Sequence, residues 1–278
     1  LPKQNARECA CVGGVNIYPA ESLGEACGHL TGASPLAAQR RVRYEQLLAG
    51  RETGCDLKLV RGQTVARKAL EVAAAGGHNL LMVGVPGSGK TMLARCLPGI
   101  LPPLVYEEAL ETTLIHSAAG ELSEDAGLLT QRPFRSPHHN TSMPAMIGGG
   151  SRAKPGEVSL SHNGVLFLDE LPEFQRATLE ALRQPLEDGF VNVTRINGQN
   201  RYQSRFMLVA GMNPCPCGNL GSRRGECRCT SAEIRRYQSR LSGPLLDRID
   251  IQVEMDAVTL EEIETAREQE DSQTVRRR

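Results

Sequence analysis

The chain has 278 residues, enough for one large domain or two small ones, and its apolar share of 40% supports a real core. Its 32 basic and 32 acidic side chains cancel, which excludes nucleic-acid binding through a field over the whole molecule and leaves only a local patch. No apolar run approaches the roughly 20 residues that cross a bilayer, and the first residues lack a signal-peptide pattern, so a soluble, cytoplasmic protein with no membrane partner is expected.

Residues 1–30 offer a strand over Val12 to Tyr18 and a helix over Ser22 to Leu30, too little to bury a core unaided, and read as the tail of another domain. Residues 31–55, with Gly32, Pro35, Gly50, Gly54 and several arginines, keep no periodicity and read as a linker. From Asp56 helices and strands alternate. A helix is expected over Gln63 to Ala75, a strand over Leu80 to Val83, a helix over Thr91 to Leu97 and another around Leu104 to Ser117. Such alternation implies an α/β fold with a parallel sheet and flanking helices.

Between that first strand and its helix stands Gly84-Val85-Pro86-Gly87-Ser88-Gly89-Lys90-Thr91, a G-x-x-x-x-G-K-T run. In this setting the glycines let backbone N–H groups converge on an anion, Lys90 reaches the β and γ phosphates, and the Thr91 hydroxyl holds magnesium. ATP and Mg²⁺ are the expected cofactors. The next stretch, Phe134 to Ser161, carries His138, His139 and Gly148-Gly149-Gly150, with His162 at its edge. Loop histidines making ordinary hydrogen bonds are commoner than metal sites. Val165-Leu166-Phe167-Leu168-Asp169-Glu170 then reads as a buried parallel strand ending in two carboxylates. Alone these are an ordinary solvated strand end. Behind a phosphate loop they read as a Walker B pair, with Asp169 positioning Mg²⁺ and Glu170 polarising the attacking water.

Leu179, Leu182 and Leu186 recur at helical spacing as core, and Pro185 and Gly189 mark where that helix ends. Val191 to Ile196 and Tyr202 to Ala210 are strand candidates around Asn197-Gly198, a dipeptide suited to a tight hairpin turn. Nine cysteines, four of them between 215 and 229, argue for reduced thiols plus one metal site rather than a secreted disulfide framework. Cys9, Cys11, Cys27, Cys55 and Cys96 read as small buried or incidental residues. Cys215-Pro216-Cys217 and Cys227-Arg228-Cys229 form two C-x-C arms on a loop with Gly218, Gly221 and Gly225. Four soft thiolates able to converge tetrahedrally favour a structural zinc ion, with two disulfides the rival in an oxidising compartment. Arg223, Arg224 and Arg228 form either a DNA-contacting patch or a solvated basic loop. Thr230 and Glu233 form a capping box that opens a helix to about Gln238, Ile249 to Met255 is a last apolar strand, and Thr259 to Arg278 reads as the first helix of a truncated unit.

In order along the chain, GVPGSGKT, RPFRSPHH, IGGG, PGEVSLSHNGVLFLDELPEF, VAGMNPCPCG and GPLLDRIDI resemble the magnesium-chelatase-like AAA+ ATPases, in particular their branch of bacterial competence proteins, over about Asp56 to Met255. The resemblance implies an AAA+ P-loop NTPase with a helix-2 insertion at Phe134 to Ser161 and a pre-sensor 1 hairpin. It further implies a ring-forming, hexameric ATPase similar to a DNA helicase that acts in branch migration during natural transformation, with single-stranded or branched DNA as its partner. On this view residues 1–30 are the C-terminal remnant of a Lon-protease-like domain and 31–55 a linker. Residues 56–258 are then the ATPase core with its cysteine loop at 214–230, and 259–278 the truncated start of a helical lid.

Asn213 matches sensor 1 by position, which orients the water or γ-phosphate, while a turn before Pro214 is the alternative. Arg248 matches the arginine finger offered to a neighbouring subunit, with Arg240 the second candidate and a surface ion pair the alternative. On the hairpin, Arg195, Arg201 and Arg205 would meet DNA phosphates and Tyr202 would stack on a base, against the alternative of a solvated amphipathic hairpin. Two other functions stand beside the DNA motor. One is a magnesium-chelatase-type ATPase subunit, against which the CPCG motif speaks, and the other a truncated nucleotide-binding interaction module.

Overall fold

The structure, a computed structural model, describes residues 1–7, 9–48, 54–122, 127–149, 153–195, 198–222, 225–257 and 269–278. They fall into two compact units, Leu1–Glu52 with Pro103–Gln131, and Thr53–Pro102 with Arg132–Arg278.

In the first unit the helix Leu23–Leu30 forms as expected, its Ser22 cap accepting from Glu25 N–H. The strand expected over Val12 to Tyr18 does not form. Gly14 takes φ 81°, a turn conformation, and the chain finds a single parallel bridge, Pro2 to Ala20, rather than a partner strand. The 31–55 segment carries a short helix, Tyr44–Leu48. Tyr44 donates its hydroxyl to Leu104 O at 2.7 Å and meets the Tyr106 ring edge-on at 5.8 Å. The helix Tyr106–Ala119, expected within the ATPase core, thus packs with the amino-terminal residues. That supplies the apolar partner those residues lack locally.

The second unit holds a five-stranded parallel sheet. Its strands are β1 (Leu80–Gly84), β2 (Phe134–Arg135), β5 (Val165–Leu168), β8 (Met207–Met212) and β9 (Ile251–Met255), in the order β2-β5-β8-β1-β9. Between them come two small antiparallel pairs, β3 (Gly148–Gly149) with β4 (Lys154–Pro155), and β6 (Phe190–Arg195) with β7 (Gly198–Gln203). Every residue of β5 and β8 is buried, as strands covered on both faces require.

Alternation sorts these side chains into two cores. Leu80, Met82, Phe167 and Val209 pack under the helices Thr64–Gly76 and Lys90–Ile100, whose Leu70, Leu93 and Leu97 complete that side. Leu81, Leu166, Leu168 and Leu208 meet Leu179, Leu182 and Tyr237 on the other. Each such large side chain, fully buried, contributes about 1.5–3 kcal/mol.

Three segments depart from expectation. The Leu179 to Leu186 stripe forms two short helices, Arg176–Ala181 and Arg183–Asp188, meeting at Leu182, and Gly189 ends the second at φ 72°. Pro185 has no N–H to carry a continuous helix through the junction. The strand expected over Tyr202 to Ala210 is two strands. Ser204 N–H bonds Gly189 O at 2.8 Å and Arg205 N–H bonds His162 Nδ1 at 3.1 Å, which turns the chain from the hairpin into the sheet. The hairpin turn at Ile196-Asn197 lies outside the described residues. In the carboxyl-terminal stretch, Ser272–Arg277 is helical and its Val275 enters the core beside Leu97, so this helix belongs to the ATPase unit. No helix among the described residues is long and apolar enough to cross a membrane.

Candidate nucleotide site

Because β1, β5 and β8 run parallel, their carboxyl ends share one edge, the place where open α/β sheets present ligand-binding loops. β1 ends at Gly84 and feeds the phosphate loop, β5 ends before Asp169, and β8 ends before Asn213. Gly87 and Gly89 hold φ 77° and 93° with open space around them, so the demand for glycine there is conformational. At Gly84 it is steric, since a Cβ would lie 2.6 Å from Met255 O. The helix Lys90–Ile100 begins where the loop ends, aiming its first-turn N–H groups and the positive end of its dipole at an anion.

Lys90 Nζ donates to Gly84 O at 2.7 Å, Val85 O at 3.1 Å and Asn213 Oδ1 at 3.3 Å. Burial lowers its pKa, and the nearby Asp169 and Glu170 partly restore it. Thr91 Oγ1 donates to Asp169 Oδ2 at 2.8 Å. These two hard oxygen donors fit Mg²⁺, which keeps most of its shell for water and phosphate oxygens. Gly211 of β8 passes so near that a Cβ would sit 2.9 Å from Asp169 Oδ1.

Glu170 stands in the left-handed region at φ 53°, rare for a residue with a side chain. Its Oε2 lies 3.2 Å from His139 Nδ1, and the His139 ring leans on His138 with centroids 4.1 Å apart. Nothing in the spacing of the histidine pair announced this contact, because the insert and the β5 strand end meet only in the folded chain. Gln63 was also missed. Read as the start of a helix, it takes φ 51° and its Nε2 donates to Ser88 O at 3.1 Å and Asp256 O at 2.6 Å, bracing the phosphate loop.

Asn213 sits inside this constellation. Its backbone N–H bonds the hydroxyl of buried Tyr237, whose pKa burial pushes up to about 12. Arg240 bonds Glu173 Oε2 at 2.7 Å and Pro172 O at 3.2 Å, just past Glu170. Arg248 lies at the opposite edge of the sheet, where Asn79 Nδ2 donates to Arg248 O at 2.7 Å beside the start of β1, and its guanidinium pairs with Glu187. A cavity of about 570 Å³ opens at that edge, lined by Asn79, Arg132, Glu187 and Arg205 among others.

On the hairpin, the Arg201 guanidinium carbon lies over the Phe190 ring, 3.5 Å from its centroid. Tyr202 donates to Ala153 O at 2.9 Å and packs against the core. The side chain of Arg195 lies outside the described residues, as do Arg223 and Arg224.

Past Asn213 the four cysteines converge, with all sulfurs within 4.8 Å of one another. Cys215 to Cys217 measures 3.4 Å, and Cys227 lies 3.7 Å from each. Backbone N–H groups of Asn219 and Arg228 lower the Cys217 thiol to about 6. A cavity of about 280 Å³ lies between this loop and the phosphate loop, lined by Gly84, Val85, Pro214, Leu220 and Asp256 among others.

A phosphate loop on one parallel strand, a carboxylate pair on a second, and a polar residue at the end of the strand between them define a P-loop ATPase of the AAA+ class. Residues 56–263 match the family described as magnesium chelatase, subunit ChlI. An uncharacterized protein of Mycobacterium tuberculosis is 48% identical over 256 residues, covering 92% of this chain and 50% of that relative. Competence protein ComM of Haemophilus influenzae is 46% identical over 258 residues, 92% of this chain and 50% of the relative. The uncharacterized protein YifB of Escherichia coli is 46% identical over 255 residues, 92% and 49%. The chain belongs to the magnesium-chelatase-like AAA+ family, in the ComM and YifB group. It spans about half the length of these curated relatives. Among solved structures, NtrX from Brucella abortus with ADP aligns over 72% of this chain and 37% of its own at 17% identity and a TM-score of 0.44, too weak a likeness to bear on function.

Proposed function

We propose that this chain is the ATP-hydrolysing core of a ring-forming DNA motor, similar to a helicase or branch-migration factor, working in the cytoplasm as a homo-hexamer. The observation that carries the reading is the convergence of Lys90, Thr91, Asp169 and Asn213 at the carboxyl ends of three adjacent parallel strands. The relative named for competence supplies the DNA part of the proposal.

The chemistry follows from the contacts. Lys90 exchanges the neutral carbonyls of Gly84 and Val85 for β- and γ-phosphate oxygens, a stronger charge-assisted set. Thr91 and Asp169 would hold Mg²⁺, which neutralises charge on the phosphates. Glu170 takes the proton of the attacking water, and Asn213 orients that water or the γ-phosphate. Arg248, remote from its own site, reaches a neighbouring subunit's nucleotide. Arg195, Arg201, Tyr202 and Arg205 give the hairpin side its affinity for single-stranded or branched DNA, with Arg201 stacking and Tyr202 holding the hairpin to Ala153. Cys215, Cys217, Cys227 and Cys229 hold a structural zinc ion.

The test is magnesium-dependent ATP hydrolysis with and without single-stranded and branched DNA. Wild type should be stimulated by DNA, and Glu170→Gln should bind ATP yet lose turnover by at least about a hundredfold. A chelatase-type ATPase would hydrolyse ATP with no response to DNA, and an interaction module would bind without hydrolysis. Either result refutes the proposal.

A further inference from the structure

The cysteine loop touches the nucleotide site at both ends and at its waist. Asn213, which accepts from Lys90, stands just before Pro214 and Cys215. Thr230, the cap of the helix Ser231–Gln238, directly follows Cys229, and Tyr237 near the end of that helix takes the Asn213 backbone N–H. At the waist Gly218, at φ 79°, runs so close to the phosphate loop that a Cβ would lie 2.7 Å from Pro86 Cδ and 4.0 Å from the Asn213 side chain.

The described residues between Met212 and Ser231 form no helix or strand, and their internal backbone bonds are short-range, Gly218 N–H to Cys215 O and Ser222 N–H to Asn219 O. Something other than a ladder must fix such a loop against its conformational entropy. The sulfur spacing names it. Tetrahedral zinc with Zn–S bonds of about 2.3 Å sets neighbouring sulfurs about 3.8 Å apart. The separations of 3.4 and 3.7 Å among Cys215, Cys217 and Cys227 approach that value, and Cys229 completes the set with all four sulfurs within 4.8 Å. A disulfide would need about 2.05 Å.

We infer that zinc held by Cys215, Cys217, Cys227 and Cys229 acts as a positioning device for ATP, fixing Asn213 and the Pro86 corner of the phosphate loop so that metal loading tunes nucleotide affinity and turnover. This rests on the zinc assignment made above. Without the ion, the residues from 214 to 229 become a tether between β8 and the following helix, and Pro86 loses the wall that Gly218 presents. The linkage is reciprocal, so bound nucleotide must also retain the metal.

The experiment uses the whole chain. Zinc content is measured with a colorimetric chelator, and affinity for a fluorescent ATP analogue is read before zinc removal, after it and on readdition. The expected result is a single zinc ion per chain, affinity about tenfold weaker without it, recovery on readdition, and release to the chelator slowed by the analogue to a similar degree. Gly218→Ala keeps all four thiols and should retain zinc while binding the analogue more weakly, since its methyl presses on Pro86 and its φ of 79° shifts the loop against the same corner. Unchanged affinity after zinc removal, or wild-type affinity in zinc-loaded Gly218→Ala, overturns the coupling while leaving the metal in place. A wild-type chain that takes up no zinc overturns the metal assignment itself. Removal and readdition on the native chain decide the matter even where the variant does not fold.

Discussion

At Glu170 the backbone bears a cost for chemistry. A side chain at φ 53° is disfavoured by about 1–2 kcal/mol relative to glycine, and the contact of His139 with the half-exposed Glu170 carboxylate returns less than that. Glu170→Gly should therefore stabilise the protein by about 1 kcal/mol, read as a raised unfolding midpoint in urea, while abolishing hydrolysis. A variant that is both inactive and less stable would show that the strain is imaginary. Gly211 makes the opposite case, because its constraint is a neighbour rather than its own φ. Gly211→Ala must push a methyl against Asp169 Oδ1, so it should cost about 1–3 kcal/mol and weaken magnesium-dependent nucleotide binding. At this scale Lys90 and Thr91 can be read from one short G-x-x-x-x-G-K-T run and Asp169 from an apolar run that ends in acids, each a pattern contained in its own segment. His139 at Glu170 and Gly218 at Pro86 are meetings of segments far apart in the chain, and no periodicity encodes them.

Among the elements, the buried strands β1 and β5 were legible because covered faces leave an unbroken apolar run bounded by glycine or polar residues, whereas β8 was merged with the hairpin strand before it, since no glycine or proline separates Tyr202 from Met207. Val12 to Tyr18 offered a similar run but no neighbour to pair with, and apolar content alone does not make a sheet. A carboxyl-terminal helix was expected, but as the start of a separate unit, since its attachment depends on Asp56 at the other end of this one. Ser272 N–H bonds Asp56 Oδ1 at 2.9 Å, and Ser272 Oγ accepts from Leu57 N–H at 2.7 Å. Burial pushes the Asp56 pKa up, but the N–H groups of Lys58 and Ser272 outweigh it and hold the carboxyl below its ordinary value. A depressed folded pKa contributes stability that is complete above the unfolded carboxylate value, about 3.9, and is lost as pH falls through the folded one. Asp56→Asn should thus unfold at lower temperature than wild type at pH 7, by about 1 kcal/mol, and the gap should narrow below about pH 4. A gap independent of pH would remove Asp56 from the account.

Over the whole molecule the proposed motor would divide one reaction between the two edges of the sheet. The carboxyl edge gathers Lys90, Thr91, Asp169 and Asn213, while Arg248 lies at the amino edge beside the 570 Å³ cavity and its Asn79 and Glu187 walls. A single chain cannot bring both edges to one nucleotide, whereas a second copy docked edge to edge can. Arg248 is paired with Glu187 at a site where both side chains are 43% exposed, a contact of little worth in water that a neighbour's phosphates would readily replace. Arg248→Ala should accordingly keep ATP affinity and lower turnover by about a thousandfold. Glu170→Gln should be equally inactive, for the different reason that its own water goes unactivated. Mixing the two inactive variants is the decisive measurement. In a mixed ring, an intact Glu170 on one subunit meets an intact Arg248 from its neighbour, so hydrolysis should reappear and peak near equal proportions. If Arg248 served its own subunit, or only the pair with Glu187, no mixture would recover activity.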